Sequence, residues 1–320
     1  MAYVPVIDLD RDPIYVGAQL DDVCRHVGFF QVVGHGVPDA VAQRAWQATI
    51  DFFDLPLEDR LTTRPPTAGY PYGYIPFSGE SLSKSIGGES KPDLKEAYSI
   101  GPVDAPTWAM SGTDEGWAWQ PNLWPAALPE FREAWTAYFR VQLDLGTRLM
   151  RLFAQGLGLP ADYFDASIDR SPSSLRAIRY PARELAPEDG QLRAGAHTDY
   201  GTLTILKQDR VGGLQVLTQD DEWAAVEAID GAFVINIGDL MARWTNDRWR
   251  STLHRVVDPP ADASGGIPRR HSMPFFHNAN WDATVSALPT CVAEGEQPRY
   301  ETVLAGPHLQ SKFTKATAAG

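Results

Sequence analysis

The stretch Ala196-His197-Thr198-Asp199-Tyr200-Gly201, running into Thr202-Leu203-Thr204-Ile205-Leu206, decides how the rest of the chain is read. If it is extended, side chains two apart point the same way, so His197 and Asp199 project together and Thr198 projects away. A further histidine stands on a distant strand-like run, Ser251-Thr252-Leu253-His254-Arg255-Val256. Two neutral imidazoles and one carboxylate on one face of an octahedral metal form the facial triad suited to Fe(II) and dioxygen, with the opposite positions open. By itself a His-x-Asp pair is weak evidence, because most such pairs are surface or hydrogen-bonding residues. Its weight comes from its surroundings.

Beyond Pro160 short alternating segments recur between Gly, Pro and Asp residues: Leu175–Tyr180, Leu203–Lys207, Gly213–Leu217, Phe233–Ile237, His254–Val257 and His271–Phe276. Many short strands with turn signals imply a sandwich or barrel. The earlier part reads differently. Val4–Leu9 and Gly28–Val33 are strand-like, whereas Pro13–Val27 and Pro38–Phe53 carry apolar residues at helical spacing. A long helix is expected over roughly Leu128–Leu157, with Phe131, Trp135, Tyr138, Leu145, Leu149 and Phe153 along one side. Residues 65–106 are rich in Gly, Pro, Ser and Tyr without periodicity, which predicts a long loop of the kind that usually serves function. No linker or internal repeat divides the chain. The expectation is a single α+β domain over 1–320, mainly helical over 1–160, with a β catalytic core and C-terminal tail over 161–320.

The run Arg269-Arg270-His271-Ser272-Met273-Pro274-Phe275-Phe276 adds a second chemical signal. Alternation places Arg270 and Ser272 on one face and His271 on the other. A guanidinium beside a hydroxyl is suited to gripping a carboxylate at the far end of a small acid. The bland alternative for Arg270 is a salt bridge at the barrel rim.

At these residues the chain resembles the isopenicillin N synthase-like branch of the Fe(II)/2-oxoglutarate-dependent dioxygenases. The resemblance spans nearly the whole sequence. It includes Gly28-Phe29-Phe30, His35-Gly36-Val37, Lys95-Glu96-Ala97-Tyr98, Ile178-Arg179-Tyr180-Pro181, His197-Thr198-Asp199 and Asn236-Ile237-Gly238-Asp239. It continues through Trp244-Thr245-Asn246, Ser251 to Val256, and Arg270-x-Ser272. The resemblance implies a double-stranded β-helix (jelly-roll) barrel with N-terminal helices and one long backbone helix. It implies His197, Asp199 and His254 as iron ligands, and Arg270, Ser272 and Tyr180 as the holders of the distal carboxylate of 2-oxoglutarate. Ile178 and Tyr180 should face inward and Arg179 outward; in plant members the place of Ile178 is often an Asn. The cofactor set implied is Fe(II), 2-oxoglutarate as cosubstrate and O2. The activity implied is hydroxylation, desaturation or ring closure of a small metabolite or amino-acid derivative, with release of succinate and CO2. An alternative within the family is an oxidase that uses iron and O2 without 2-oxoglutarate, the Tyr180, Arg270 and Ser272 cluster taking the substrate's own carboxylate. A zinc hydrolase would leave the Arg-x-Ser pair without a role, and a barrel that had lost its chemistry should have lost one of these residues.

Composition narrows the partners. A net charge of −13 disfavours a nucleic-acid or anionic-membrane binder, since both need clustered Lys and Arg. The two cysteines, Cys24 and Cys291, stand far apart and make neither a disulfide framework nor a thiolate site. With no basic-then-apolar leader and no apolar run of about 18 residues, a cytoplasmic protein with no obligatory protein partner is expected. The aromatic loop around Tyr70, Tyr72 and Phe77, together with Phe276, is the candidate substrate contact. His35 reads as a turn anchor, His271 and His277 as residues away from the metal, and Lys84, Lys91 and Lys95 as a solvated face.

Overall fold

The protein, as a computed structural model, is described over residues 3–83, 91–104, 113–183, 191–261 and 265–317. Its early strands are β1 (Val6–Asp8), β2 (Phe29–Val33), β3 (Gly73–Ile75), β4 (Glu96–Ile100) and β5 (Ser174–Tyr180). The later strands are β6 (Ala194–His197), β7 (Leu203–Gln208), β8 (Leu214–Leu217), β9 (Trp223–Ala225), β10 (Phe233–Ile237), β11 (His254–Val256) and β12 (Arg270–His277). A ribbon of β13 (Thr284–Val285) and β14 (Val303–Leu304) comes last. Eight strands form a major sheet in the order β1-β2-β10-β7-β12-β5-β4-β3, and four form a minor sheet in the order β6-β11-β8-β9. Apart from the parallel pair β1 and β2, neighbouring strands of the major sheet run antiparallel. This is the jelly-roll expected.

The division at residue 160 does not follow the sheet. Four of the eight strands of the major sheet precede residue 101. Two of them, β3 and β4, lie in the region expected to be a loop. The reason is physical: β3 is three residues long, and every residue of β4 is buried, so no inside-outside alternation marks it. Likewise β6 is built from Ala-Gly-Ala-His, weak strand formers held by their neighbours. The expected tail carries a helix.

The helices are α1 (Pro13–His26), α2 (Asp39–Asp54), α3 (Leu57–Leu61), α4 (Phe131–Gly156), α5 (Asp165–Ile168), α6 (Asp239–Trp244) and α7 (Ala305–Thr317). In α1, Asp12 accepts from the backbone N–H groups of Ile14 and Tyr15, with Pro13 in the first turn. The chain then turns at Gly28, at φ +70°, where a Cβ would lie 2.3 Å from the Arg250 carbonyl oxygen, so only glycine is accommodated. Helices α1, α2 and α4 lay their apolar sides on the outer face of the major sheet, where Phe139 meets Phe275 edge-on at 5.1 Å. A separate apolar cluster that includes Phe29, Ile178, Leu214, Val216, Val234 and Val256 lies between the two sheets.

Candidate metal centre

The antiparallel pairing of β6 with β11 sets His197 directly opposite His254, with ring centroids 4.3 Å apart. Asp199 follows β6 by two residues, and one ligand atom from each of His197, Asp199 and His254 lies within 4.8 Å of the others. All three are buried. The loop carrying Asp199 is pinned by the start of α6: Asp239 N–H donates to the Asp199 carbonyl at 2.8 Å and Leu240 N–H to that of Gly201 at 3.1 Å. Gly238 passes so near Gly201 that a Cβ would lie 2.2 Å from the Gly201 oxygen. The loop therefore has little room to move.

Hydrogen bonds orient His197 and Asp199. The Nδ1 of His197 lies 2.7 Å from the Gly195 carbonyl oxygen, which can only accept, so Nδ1 carries the proton and Nε2 keeps its lone pair. In Asp199, Oδ2 accepts from Thr204 Oγ1 at 2.5 Å and from Asn236 Nδ2 at 2.7 Å, while Oδ1 faces His254 Nε2 at 4.0 Å. One carboxylate oxygen is thus held and the other is available to a cation. Burial, then the neighbouring His254, pushes His197 down to about 3, so its imidazole is neutral. Burial opposes the charge of Asp199, but His254, His197 and the two hydrogen bonds prevail and hold its carboxyl below the ordinary value. Neutral imidazoles and a charged carboxylate are the forms that bind a divalent metal, and this His-Asp-His group fits an Fe(II) site.

A cavity of about 180 Å³ opens beside these residues, between the sheets. One wall is the ladder between β5 and β12, in which Tyr180 faces Arg270 and Ile178 faces Ser272. The guanidinium of Arg270 lies over the Tyr180 ring at 5.0 Å and donates to Ser272 Oγ at 3.3 Å and Gln208 Oε1 at 2.9 Å. Its Nε has no hydrogen-bond partner among the described residues, and no ion pair is found for it there. The rim salt bridge considered for Arg270 is therefore replaced by a buried cation facing a cavity. Arg193, equally buried, is paired with Asp258 at 2.9 Å. A buried guanidinium outside any direct ion pair is costly even with the charge of Asp209 nearby, and an incoming carboxylate offsets that cost.

Of the four aromatic candidates, Tyr72 and Phe276 line the cavity. Tyr70 and Phe77 are not among its lining residues: the Tyr70 hydroxyl donates to the Pro121 carbonyl, and Phe77 is 46% exposed. The Tyr72 hydroxyl is itself engaged, by the Ala118 carbonyl at 2.5 Å. Lys95 is no solvated residue; it is buried, paired with Asp93 at 3.0 Å, and lines the cavity. Lys84 lies outside the described residues. His35 anchors a turn by accepting from Val37 N–H at 3.1 Å, its Nε2 lying 2.8 Å from the Gly231 carbonyl. His271 turns away toward Trp46 and Phe53, and His277 packs against Gly146 of α4.

Sequence reasoning did not single out Thr204 and Asn236, which hold Asp199, or Arg176, which lines the cavity. Asn236 had a signal, a lone polar residue inside Phe-Val-Ile-Asn-Ile, and Arg176 continues the Tyr180, Ile178 alternation by one more step. Leu309 and Phe313 of α7, which also line the cavity, had none.

Residues 4–127 match the family model described as the non-haem dioxygenase in morphine synthesis N-terminal region, and residues 172–279 match that of the 2OG-Fe(II) oxygenase superfamily. A 2-oxoglutarate-Fe(II) type oxidoreductase of Emericella nidulans is 35% identical over 307 residues, covering 92% of this chain and 84% of the relative. A homoarginine-6-hydroxylase of Oryza sativa subsp. japonica is 36% identical over 95% of this chain and 90% of its own. Among solved structures, a full-length Neurospora crassa protein in complex with alpha-KG and thymine matches with a TM-score of 0.85 and 30% identity, over 97% of this chain and 96% of that one.

Proposed function

The chain belongs to the 2OG-Fe(II) oxygenase superfamily, and from that premise we propose that His197, Asp199 and His254 hold the iron while Arg270, Ser272 and Tyr180 hold the far carboxylate of 2-oxoglutarate. The enzyme is a 2-oxoglutarate-dependent Fe(II) dioxygenase acting on a small molecule. The observation that carries the residue assignment is the Arg270 guanidinium, buried without an ion pair among the described residues, on the wall of the cavity that reaches the His-Asp-His group.

When bound, iron, dioxygen and 2-oxoglutarate supply the oxidising power, the cosubstrate leaving as succinate and CO2. The chain's residues position and exclude. Arg270 and Ser272 offer donors to a carboxylate, so an acid anchored there is oriented before reaction. Thr204 and Asn236 keep one oxygen of Asp199 occupied, which leaves the other as a single-point ligand. The apolar walls, Leu82, Trp117, Leu214, Phe276, Leu309 and Phe313 among them, limit water around the reacting groups. The oxidase alternative is not favoured, because the matched relative is named for 2-oxoglutarate and the matched structures hold alpha-KG.

The outcome is hydroxylation, desaturation or ring closure, in keeping with relatives that include the homoarginine hydroxylase and with the thymine-bound Neurospora crassa complex. No helix among the described residues is long and apolar enough to cross a membrane. A cytoplasmic location is supported by Cys24 and Cys291, which stand as free thiols. The test is aerobic turnover with Fe(II) and labelled 2-oxoglutarate. Succinate should form in proportion to 2-oxoglutarate consumed; oxygen uptake that proceeds equally without any keto acid would return the oxidase reading.

A further inference from the structure

One register row crosses the major sheet beside the His-Asp-His group. Ser174 of β5 pairs with Phe276 of β12, Phe276 with Thr204 of β7, Thr204 with Asn236 of β10, and Asn236 with Phe29 of β2. All five line the cavity. Thr204 and Asn236 bond Asp199, and the Phe29 ring meets that of His254 at 5.1 Å. Phe276 and Ser174 are therefore the next two positions out from the metal group, about 5 and 10 Å from Thr204 at the spacing of neighbouring strands. Arg270 lies in another direction, along β12 and not across it.

The row is closed at its far end. Strand β4 finishes at Ile100 opposite Leu175, which brings Gly101 level with Ser174. A Cβ on Gly101 would lie 2.0 Å from the Tyr72 ring, so that ring stands where a side chain would. The Tyr72 hydroxyl is fixed on the Ala118 carbonyl. Two strand spacings, about 10 Å, separate Phe276 from this wall, which is room for one ring and a short substituent.

Between the two rings stands one open polar group. The Ser174 hydroxyl has no hydrogen-bond partner among the described residues and keeps accessible surface, on a half-buried side chain that lines the cavity. Its neighbours Ser171 and Ser173 are engaged, with each other at 2.6 Å and with the backbone of Asn278. Ser99, a second open hydroxyl, pairs with Arg176 and stands two residues off the row. When a substrate displaces water here, an unmatched hydroxyl costs free energy, so a substrate that offers it a partner is favoured over one that does not. Charge narrows the choice. Arg176 is paired with Glu80 and Lys95 with Asp93 at 3.0 Å, so neither cation calls for an anion. Asp199 is the one carboxylate among the described lining residues, and it belongs to the metal group, so a cation finds no partner either.

We propose that the oxidised substrate lies across the strands along this row, against Phe276, and that Ser174 is its specificity-determining contact. The Ser174 hydroxyl bonds an uncharged polar substituent, a hydroxyl, ether or carbonyl, on a compact aromatic or apolar frame. That substituent points away from the metal, and the opposite edge of the frame is presented for oxidation. The cosubstrate, held toward Arg270, runs along the strands, so the two molecules meet crosswise. This rests on the reading of the cavity as the site of a 2-oxoglutarate-dependent oxidation.

The experiment uses the enzyme loaded anaerobically with Fe(II) and 2-oxoglutarate, and four probes of similar size: benzyl alcohol, toluene, benzylamine and benzoate. Binding and orientation are read from paramagnetic broadening of the probe protons. In benzyl alcohol the para ring proton should broaden most and the methylene protons least. Ser174→Ala should weaken benzyl alcohol about fivefold, the equivalent of one hydrogen bond, while toluene is unchanged. The two ions, benzylammonium and benzoate, should each bind at least about tenfold more weakly than the alcohol. Methylene protons broadened as much as the ring, an unaltered alcohol affinity in the variant, an ion binding as tightly as the alcohol, or no broadening of the alcohol would each overturn the assignment. A misfolded variant would lose toluene as well, and the broadening gradient on the unmodified enzyme then decides without any variant. Succinate release dependent on 2-oxoglutarate tests the underlying reading separately. If it fails, the enzyme assignment fails; if it succeeds while the probes behave otherwise, only the Ser174 assignment falls.

Discussion

The two faces of the major sheet are made by the same strands and have opposite characters. On β12, His271, Met273, Phe275 and His277 turn toward the helices, where Met273 meets Thr49 of α2 and Phe275 meets Phe139 of α4. The residues between them, Arg270, Ser272, Pro274 and Phe276, turn toward the cavity. On β10, Phe233, Ile235 and Ile237 join the helix-side core while Asn236 reaches Asp199. One face is filled to exclude space and the other keeps space, with polar groups whose partners are incomplete. Period two lets a single strand serve stability and chemistry at once.

The largest effect that would break this comparison is loss of a ligand from the cavity side. His254→Ala or Asp199→Ala should abolish stoichiometric Fe(II) binding and turnover while leaving a cooperative unfolding transition; retained iron binding would remove these residues from the site. Next, Arg270→Ala should weaken 2-oxoglutarate by at least about thirtyfold, as expected for deleting one partner of a desolvated charge pair, with iron affinity kept. Unchanged cosubstrate affinity would contradict its role.

Adjacent residues give a sharper contrast. Ile235→Ala should cost about 2–5 kcal/mol of stability by opening a void on the helix side, with Fe(II) affinity close to that of the unmodified protein. Asn236→Ala, one residue on, should instead lower metal affinity about 10–100-fold by freeing an oxygen of Asp199. Denaturant melts and metal titrations on the two variants read both axes; a single profile shared by the pair would erase the distinction between the faces.

The smallest effect is a pH dependence on the helix side. Burial lowers His277 to about 4, and burial with the charges of Arg269 and Arg179 lowers His271 to about 4. The unfolded chain takes up protons near pH 6.5, whereas the folded chain does not until about pH 4, so stability is complete above about 6.5 and falls as pH drops toward 4. Each residue contributes about 3 kcal/mol at most. His277→Gln should flatten the difference in melting temperature between pH 7 and pH 4.5 in metal-free protein, and an unaltered slope would refute the assignment.

The helix side is the more legible in sequence. Its helices carry long apolar stripes, and the pattern places α4 within about three residues at each end because propensity, periodicity and packing agree there. The candidate metal residues are legible because extended backbone makes His197 and Asp199 co-directional, and Arg270 with Ser272 follows by the same rule. What escapes is set by tertiary contact. Strand β4 is buried on both faces and shows no alternation, and β6 has no strand propensity of its own. Lys95 resembles a surface lysine because Glu80 becomes its neighbour only on folding, and Asp93, two residues before it, reads in sequence as one more solvated charge. Tyr70 and Phe77 share the aromatic character of Tyr72, but composition does not say which way a ring turns.

On the proposed assignment, iron and 2-oxoglutarate meet at one site whose two ends are the His-Asp-His group and Arg270. Anaerobic titration of the metal-free protein with Fe(II), then with 2-oxoglutarate, reads both ends through the visible metal-to-ligand charge-transfer band of the chelate. The band should appear at one equivalent of iron only when 2-oxoglutarate is added, vanish in Asp199→Ala, and need much more cosubstrate in Arg270→Ala. Tight iron binding with no band at saturating 2-oxoglutarate would contradict it.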